Sequence, residues 1–276
     1  MDWRYTRRYA GPVRAVILDW AGTAVDHGCM GPVEIFVNVF KEVGVQITPR
    51  AARVAMGLHQ REHLRQLCAD PSVAASWRAA RGADPTSDDV DALHLRAVAL
   101  QRSCLLDYAD PIAGVPEVVG ALRDRGIRIG STTSYSRDLL DLLARASATL
   151  GYAPDAAISA SEVPAGRPAP FMIFEVLKQL GVWPVQSCVR VGDTPMDIEA
   201  GLNAGVWTVG VSLTGNELGM TADELTTVDL AELDDLRRGA QQRLLQAGAH
   251  YVVDSVAELL PVIKLIQERL RHGETP

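Results

Sequence analysis

Lysine is scarce in this 276-residue sequence, in which Lys41, Lys178 and Lys264 are the only three. Chemistry that needs a lysine amine therefore has few candidates. The formal net charge of −7 argues against a nucleic-acid-binding surface. An acidic protein that binds a phosphorylated anion must supply positive charge locally, through a metal ion or one or two arginines.

Cysteine and long apolar runs are also limited. The four cysteines are far apart and form no Cys-x-x-Cys pair, so neither a zinc site nor a disulfide framework is expected. No segment approaches the length of a membrane-spanning helix, and the basic N-terminus lacks the apolar core of a signal peptide. We therefore expect a cytoplasmic protein with no membrane partner and a frayed N-terminal tail. The four cysteines are Cys29, Cys68, Cys104 and Cys188.

The apolar pattern divides the chain into two kinds of segment. Residues 13–19 form a short run that is apolar on both faces, as in a buried parallel strand. Residues 32 to about 105 follow helical spacing without a clear strand. Beyond them, strands alternate with helices, which predicts an α/β fold with a doubly wound, Rossmann-like parallel sheet. The predicted strands are 127–132, 156–159, 188–191, 206–211 and 251–253, and the helices between and after them are 137–150, 171–180, 196–204 and 255–271.

Polar residues that could take part in a reaction stand where these strands end. Asp19 follows the first strand, Thr133 the second, and Asp193 and Asp197 the fourth, while Arg167 lies in the loop after the third. Because the carboxyl ends of parallel strands meet at one edge of the sheet, these side chains should surround one point. Taken singly, each also has a simpler interpretation as a helix cap, a turn residue or a surface arginine.

Together these residues suit phosphoryl transfer. An aspartate can attack phosphorus and form an aspartyl-phosphate, and Mg²⁺ prefers oxygen ligands that include one or two carboxylates. An arginine can neutralise the charge that builds on the phosphoryl oxygens. A threonine hydroxyl and nearby backbone N–H groups can hold a further oxygen.

The motifs resemble those of the haloacid dehalogenase superfamily, in the order Asp19-x-x-Gly-Thr, Thr133, Arg167 and Gly-Asp193-x-x-x-Asp197. Within it, the sequence is similar to the phosphonoacetaldehyde hydrolases, which act in phosphonate metabolism. The similar stretches span nearly the whole chain and include residues 19–23, 25–29, 56–58, 129–133, 163–168, 191–194, 204–211, 217–219 and 248–250.

The resemblance implies a division into domains and a set of roles. Residues 1–30 and 107–276 would form the core domain, and residues 31–106 a helical cap domain through which a homodimer could form. Asp19 would be the nucleophile, Thr133 and Arg167 would hold a small phosphonate or phosphate, and Asp197 would orient the metal ligands. The Mg²⁺ ligands would be Asp19, the backbone carbonyl of Ala21, and Asp193. The residues expected near the substrate are Cys29, Met56, Gln60, His63, Ser134 and Tyr135.

Two positions depart from the family pattern. Ala21 stands where most phosphatases of the superfamily carry a second aspartate, which protonates the leaving group. Gln60 stands where the phosphonoacetaldehyde hydrolases carry a cap lysine that forms an imine with the aldehyde. An amide cannot form an imine, and the neighbouring Arg61 stays protonated and cannot replace the amine.

Three hypotheses remain open at this point. The enzyme could cleave the C–P bond of phosphonoacetaldehyde or a relative without an imine. Either His59, Arg61 or His63 would polarise the carbonyl, or the substrate would carry its own electron sink. It could instead be a phosphatase for compounds with good leaving groups, such as acyl phosphates. It could also be a catalytically weak protein that binds phosphonates.

Overall fold

A six-stranded parallel sheet forms the centre of the computed structural model, which describes residues 8–276. The strand order is β3-β2-β1-β4-β5-β6, which confirms the predicted doubly wound α/β fold. The frayed N-terminal tail was expected for the basic stretch at residues 1–14, of which residues 1–7 lie outside the described residues. The strands are β1 (Ala15–Leu18), β2 (Arg128–Thr133), β3 (Ala156–Ser159), β4 (Cys188–Gly192), β5 (Trp207–Val211) and β6 (Tyr251–Val253).

Five α-helices follow β1 and precede α6 (Val115–Arg123), the helix that leads into β2. They enclose a hydrophobic cluster of their own, which includes Phe36, Phe40, Leu64 and Trp77. The division at residues 30/31 and 106/107 stays a prediction, although this separate cluster is what an independent cap would need. The helices are α1 (Met30–Glu42), α2 (Pro49–Arg53), α3 (Gln60–Ala69), α4 (Pro71–Arg81) and α5 (Ser87–Cys104).

The apolar stripe of residues 32–43 is used inside this helical region. Val33, Phe36, Val39 and Phe40 of α1 are buried, whereas its polar residues face outward. The stripe therefore fills the cap interior, and the expected homodimer remains a prediction that must rely on other surfaces.

The remaining helices cover both faces of the sheet. None of the helices in the described part of the chain is long and apolar enough to cross a membrane. The C-terminal helix begins four residues later than predicted, because a short 3₁₀ turn occupies Val256–Glu258. These helices are α6 (Val115–Arg123), α7 (Arg137–Thr149), α8 (Phe171–Leu180), α9 (Pro195–Ala204), α10 (Ala222–Thr227), α11 (Leu230–Gln246) and α12 (Leu259–Arg271).

The central strand β1 shows why both faces must be covered. All four of its side chains are fully buried. Val16 and Leu18 join the cluster that contains residues of α6, α7 and α12, while Ala15 and Ile17 join the cluster of α8 and α9. Alternate residues of a strand point to opposite faces, so an apolar run without alternation is stable only between two layers.

The strand order reverses between β1 and β4, which places a crevice at their carboxyl ends. The two strands pair in parallel from Ala15 with Cys188 to Leu18 with Val191. The backbone N–H of Asp19 donates to the carbonyl of Val191 over 3.0 Å, so the ladder continues into the first residue of the crevice.

Candidate active site

Asp19 lies in a buried cluster with two arginines and a second aspartate. The Arg167 guanidinium is 2.8 Å from Asp19 Oδ2 and also contacts Asp197 Oδ1. Arg190, on β4, donates to Asp197 Oδ1 over 2.5 Å and lies 3.4 Å from Asp19 Oδ1. All four side chains are at least nine-tenths buried. Their charges therefore interact with little screening by water.

Asp197 uses its two oxygens for different purposes. Oδ2 accepts the Thr194 hydroxyl at 2.6 Å and the Thr194 N–H at 3.1 Å, which completes a capping box at the start of α9. Oδ1 faces Arg167 and Arg190. Burial raises the pKa of Asp197, but the two guanidinium groups more than offset this and hold it well below its usual range. Asp197 therefore caps a helix and fixes both arginines.

Asp193 is the third carboxylate, and neutral donors hold it in place. Its Oδ1 accepts the Thr23 hydroxyl at 3.0 Å, and its Oδ2 accepts the backbone N–H of Asn216 at 2.8 Å. The backbone approaches it closely, since a Cβ at Gly22 would lie 2.1 Å from Asp193 Oδ2. Burial, together with the charges of Asp197 and Asp19, raises the pKa of Asp193 well above its ordinary value.

The donor set fits a divalent cation. Asp19, Asp193 and Asp197 each offer one oxygen within 4.8 Å of the others. Asp19 Oδ1 accepts no hydrogen bond from residues 8–276, and burial raises the pKa of Asp19 despite the opposing charge of Arg167. Since Asp197 is taken up by two arginines, Asp19 and Asp193 are the carboxylates left to bind a cation. All-oxygen donors of this kind match the preference of Mg²⁺.

A small cavity, with a volume of about 20 Å³, adjoins the carboxylates. Residues from both the sheet edge and the helical region form its wall, so the helical region covers the crevice as a cap. Gly57 enables this contact, because a Cβ there would lie 2.7 Å from Thr194 Oγ1 and 3.0 Å from Met196 Cβ. The lining residues are Asp19, Ala21, Cys29, Pro32, Met56, Gly57, Thr133, Ser134, Tyr135, Arg167, Asp193 and Thr194.

The end of β2 and the turn after it supply polar residues to the cavity wall. Thr133 is buried, and its Oγ1 accepts the backbone N–H of Tyr135 at 3.2 Å. Ser159 of β3 donates its hydroxyl to the Tyr135 carbonyl, which fixes the turn on the neighbouring strand. The side chains of Thr133, Ser134 and Tyr135 therefore reach the cavity from a rigid support.

Comparison with known proteins agrees with this geometry. The model of the haloacid dehalogenase-like hydrolase family matches residues 13–205, and a related HAD-hydrolase-like model matches residues 164–259. The chain belongs to the haloacid dehalogenase-like hydrolases. The superfamily predicted from the motifs is thereby confirmed.

Full-length relatives place the hydrolase more narrowly. It is 46% identical over 271 residues to a phosphonoacetaldehyde hydrolase of Nitratidesulfovibrio vulgaris, covering 98% of this chain and 97% of the relative. It is 45% identical to a phosphonoacetaldehyde hydrolase-like protein of Syntrophobacter fumaroxidans, covering 97% of each chain. The crystal structure of a phosphonoacetaldehyde hydrolase-like protein from Oleispira antarctica superimposes with a TM-score of 0.96 at 37% identity, covering 100% of each chain. The hydrolase is therefore a member of the phosphonoacetaldehyde hydrolase family.

The first residues predicted to lie near the substrate fall into two groups. Cys29 and Met56 line the cavity, and their contact with a substrate stays a prediction. His63 instead lies inside the cap, where its Nε2–H donates to the Ala52 carbonyl at 2.8 Å and its ring packs on Phe36 with centroids 4.1 Å apart. Burial lowers the pKa of His63 to about 4, so it stays neutral. Its place in the hydrolase is structural, and it does not border the cavity.

Gln60 also stands back from the cavity wall. Its side-chain amide donates to Gln101 Oε1 over 3.2 Å, which joins α3 to α5. Gln101 is 2% exposed and lies close to the Tyr135 hydroxyl. A chain of two amides and a phenol therefore leads from the position of the family's lysine to the cavity.

No lysine of the hydrolase can take that position. All three are surface-exposed, on α1, α8 and α12, and none belongs to the cavity wall. Lys178 forms an ion pair with Glu175 at 3.2 Å. No lysine among the described residues therefore lines the cavity, so none of them can replace the amine that Gln60 lacks.

Four residues of the site escaped the sequence analysis. Arg190 was counted as part of an apolar strand, although a single arginine in a strand buried on both faces signals a buried ion pair. Thr23 belongs to the first motif, but its bond to Asp193 spans 170 positions. Asn216 and Gln101 had no sequence signal, since each acts through contacts that form only on folding.

Proposed function

We propose that this hydrolase cleaves the C–P bond of phosphonoacetaldehyde or a related phosphonate, with Mg²⁺ as cofactor and an aspartyl-phosphate on Asp19 as intermediate. The observation that carries the proposal is the position of the Asp19 carboxylate. It borders the cavity at the carboxyl end of β1, with one oxygen beside Arg167 and the other without a hydrogen-bond donor.

Asp19 is the group best placed to attack phosphorus. One carboxylate oxygen forms a bond to phosphorus while the C–P bond breaks. The electron pair of that bond is delocalised onto the carbonyl oxygen as an enolate, and protonation gives the free aldehyde. Water then hydrolyses the acyl phosphate, which releases phosphate and restores Asp19.

The surrounding residues supply binding and charge. Arg167 and the Thr133 hydroxyl line the cavity and hold the phosphonate oxygens. Mg²⁺, held by Asp19, Asp193 and the Ala21 carbonyl, would neutralise charge on the phosphonate when bound. Asp197 positions Arg167, and Arg190 positions Asp19. Neither Asp197 nor Arg190 would contact the substrate.

Tyr135 is our candidate for the carbonyl side of the substrate. Burial holds the pKa of its phenol well above the ordinary value, so the hydroxyl remains protonated. A protonated phenol can donate to an enolate oxygen as its charge develops. Gln101 lies close to this hydroxyl, and Gln60 donates a hydrogen bond to Gln101. This arrangement stabilises the leaving electron pair without an imine.

The side chain of Ala21 favours a second candidate function. It carries no carboxylate to protonate a leaving group, so a phosphate substrate must depart without that help. Acyl phosphates meet this condition, and they are the substrates of the second candidate.

Phosphate release separates the candidates. Purified protein with Mg²⁺ would be given phosphonoacetaldehyde, an acyl phosphate and p-nitrophenyl phosphate in parallel, with Asp235→Asn as the control for an exposed acid. Release from the phosphonate supports our proposal, while release only from the phosphates supports the second candidate. Binding without any turnover, seen as thermal stabilisation by the phosphonate, would overturn both and indicate a phosphonate-binding protein.

A further inference from the structure

Arg53 joins the cap to the core through neutral acceptors. It ends helix α2, and its guanidinium donates to the Gly28 carbonyl at 2.7 Å, Asn216 Oδ1 at 3.2 Å and the Gly219 carbonyl at 3.1 Å. The Met30 sulfur lies 3.1 Å from the same group. No carboxylate among residues 8–276 forms an ion pair with Arg53. Its donors are therefore directed at fixed points of the fold and not at a mobile counter-charge.

The loop that Arg53 contacts also holds Asp193. The side-chain Oδ1 of Asn216 accepts a hydrogen bond from Arg53. The backbone N–H of the same residue donates to Asp193 Oδ2 at 2.8 Å. Gly215 packs against the same carboxylate, since a Cβ there would lie 2.4 Å from Asp193 Cβ. One residue thus separates the Arg53 guanidinium from a candidate cation ligand.

Arg53 is equally close to the cap wall of the cavity. Its own carbonyl accepts the backbone N–H of Met56 at 3.1 Å, and Met56 and Gly57 line the cavity. Asn216 Nδ2 returns a hydrogen bond to the Arg53 carbonyl at 3.4 Å. The segment from Arg53 to Gly57 is therefore held to the core on the same side as Asp193.

We propose that Arg53 is a positioning residue that couples the seating of the cap to the orientation of Asp193. When the segment 53–57 rests on the core, Arg53 fixes the loop 216–219, and the loop fixes the carboxylate. This inference rests on the proposed role of Asp193 as a ligand of Mg²⁺. Partners of metal ligands commonly change metal affinity by about 10- to 100-fold when removed.

Calorimetric titration of the purified protein with Mg²⁺ alone tests the coupling. Arg53→Met keeps the apolar stem and removes the donors, so we expect the Kd for Mg²⁺ to rise about tenfold. Arg53→Lys restores one donor and should give an intermediate Kd, and it remains informative if the Met variant does not fold. Arg96→Met is the matched control, since Arg96 lies in the cap and pairs only with Glu42 on the surface, at 3.3 Å.

A double-mutant cycle identifies the path. Asn216→Ala removes the acceptor for Arg53 but keeps the backbone donor to Asp193. If Arg53 acts through Asn216, the double variant binds Mg²⁺ no more weakly than Arg53→Met alone. Additive losses would overturn this path.

The possible failures can be distinguished. If wild-type protein binds Mg²⁺ and Arg53→Met and Arg53→Lys bind it within twofold of the same Kd while unfolding at lower temperature, Arg53 only clamps the fold and our inference is wrong. If wild-type protein binds no Mg²⁺, the cation role of Asp193 in the proposed function is wrong, and the coupling is lost with it.

Discussion

Arg190 donates a hydrogen bond to Asp197 Oδ1 over 2.5 Å, and both side chains are fully buried. Replacement by methionine leaves Arg167 as the only guanidinium on that carboxylate. We expect Arg190→Met to lower the free energy of unfolding by about 3 kcal/mol, because breaking a buried ion pair leaves an incompletely compensated charge. Turnover should fall at least about tenfold, since Arg190 also faces Asp19.

Denaturant unfolding and steady-state rates check this prediction. Arg238→Met serves as the control, because Arg238 pairs with Asp235 in an exposed position and its removal should leave both quantities unchanged. A similar response of the two variants would contradict the importance that we assign to the buried pair.

Asp19→Asn should fold normally and lose at least about a thousandfold in phosphate release, as expected for removal of a nucleophile. The amide preserves the shape of the side chain but cannot form an acyl phosphate. Circular dichroism would establish that the fold persists, and phosphate release would be measured on the substrate that the wild-type enzyme prefers. Activity close to wild type in this variant would eliminate Asp19 as the nucleophile.

Gln60→Lys should make the cap reactive toward an aldehyde. With phosphonoacetaldehyde and borohydride we expect no covalent adduct on the wild-type protein and one labelled lysine on the variant, found by mass spectrometry. Gln66→Lys places an amine on the exposed side of the same helix α3 and should remain unlabelled. Labelling of a native lysine in the wild-type enzyme would refute our claim that no amine serves the cavity.

Gly57→Ala should impair the seating of the cap. Its φ of +94° disfavours a side chain, and the new Cβ would also press on Thr194 and Met196. Gly82→Ala is matched in backbone strain, with φ +81°, but has no neighbour within 4 Å. We expect both variants to lose about 1 kcal/mol of stability from strain, and Gly57→Ala alone to raise KM, by about tenfold. Equal KM values would show that this contact does not control closure.

His63 should make stability depend on pH. Its pKa is about 4 in the folded protein against 6.5 for the free side chain, so the unfolded state binds more protons between these values. Stability is therefore retained above pH 6.5 and falls as the pH drops toward 4, by up to about 3 kcal/mol. His63→Gln, which can still donate to Ala52, should remove this part of the slope. Parallel curves for both proteins between pH 4 and 7 would contradict the burial of a neutral ring.

The sequence predicted the fold well because each strand carries its own signal. Asp19, Thr133 and Asp193 stand at the ends of apolar runs, and the parallel topology alone brings them together. Their convergence followed from the parallel arrangement of the strands without knowledge of any side-chain contact. The fold class and the family were accordingly predicted, whereas the domain boundaries and residue roles still rest on the resemblance.

What could not be predicted depends on contacts between distant segments. Arg53 and Asn216 are 163 positions apart, and neither stands in a recognisable motif. The position of His63 inside the cap follows from how α3 packs on α1, a rotation that apolar spacing leaves undetermined. The partner of Arg190 was also hidden, because its contact with Asp19 joins two strands that are far apart in the sequence.

The cavity between cap and core has room for about one water molecule, and phosphonoacetaldehyde is several times larger. The cap must therefore move away from the core before a substrate of that size can occupy this space. Each catalytic cycle must then include an opening and a closing movement of the cap. The slower of these movements sets an upper limit on the turnover number. Higher solvent viscosity slows such movements and leaves bond cleavage unchanged. The dependence of the turnover number on viscosity would therefore show whether cap movement or bond cleavage limits the rate of this enzyme.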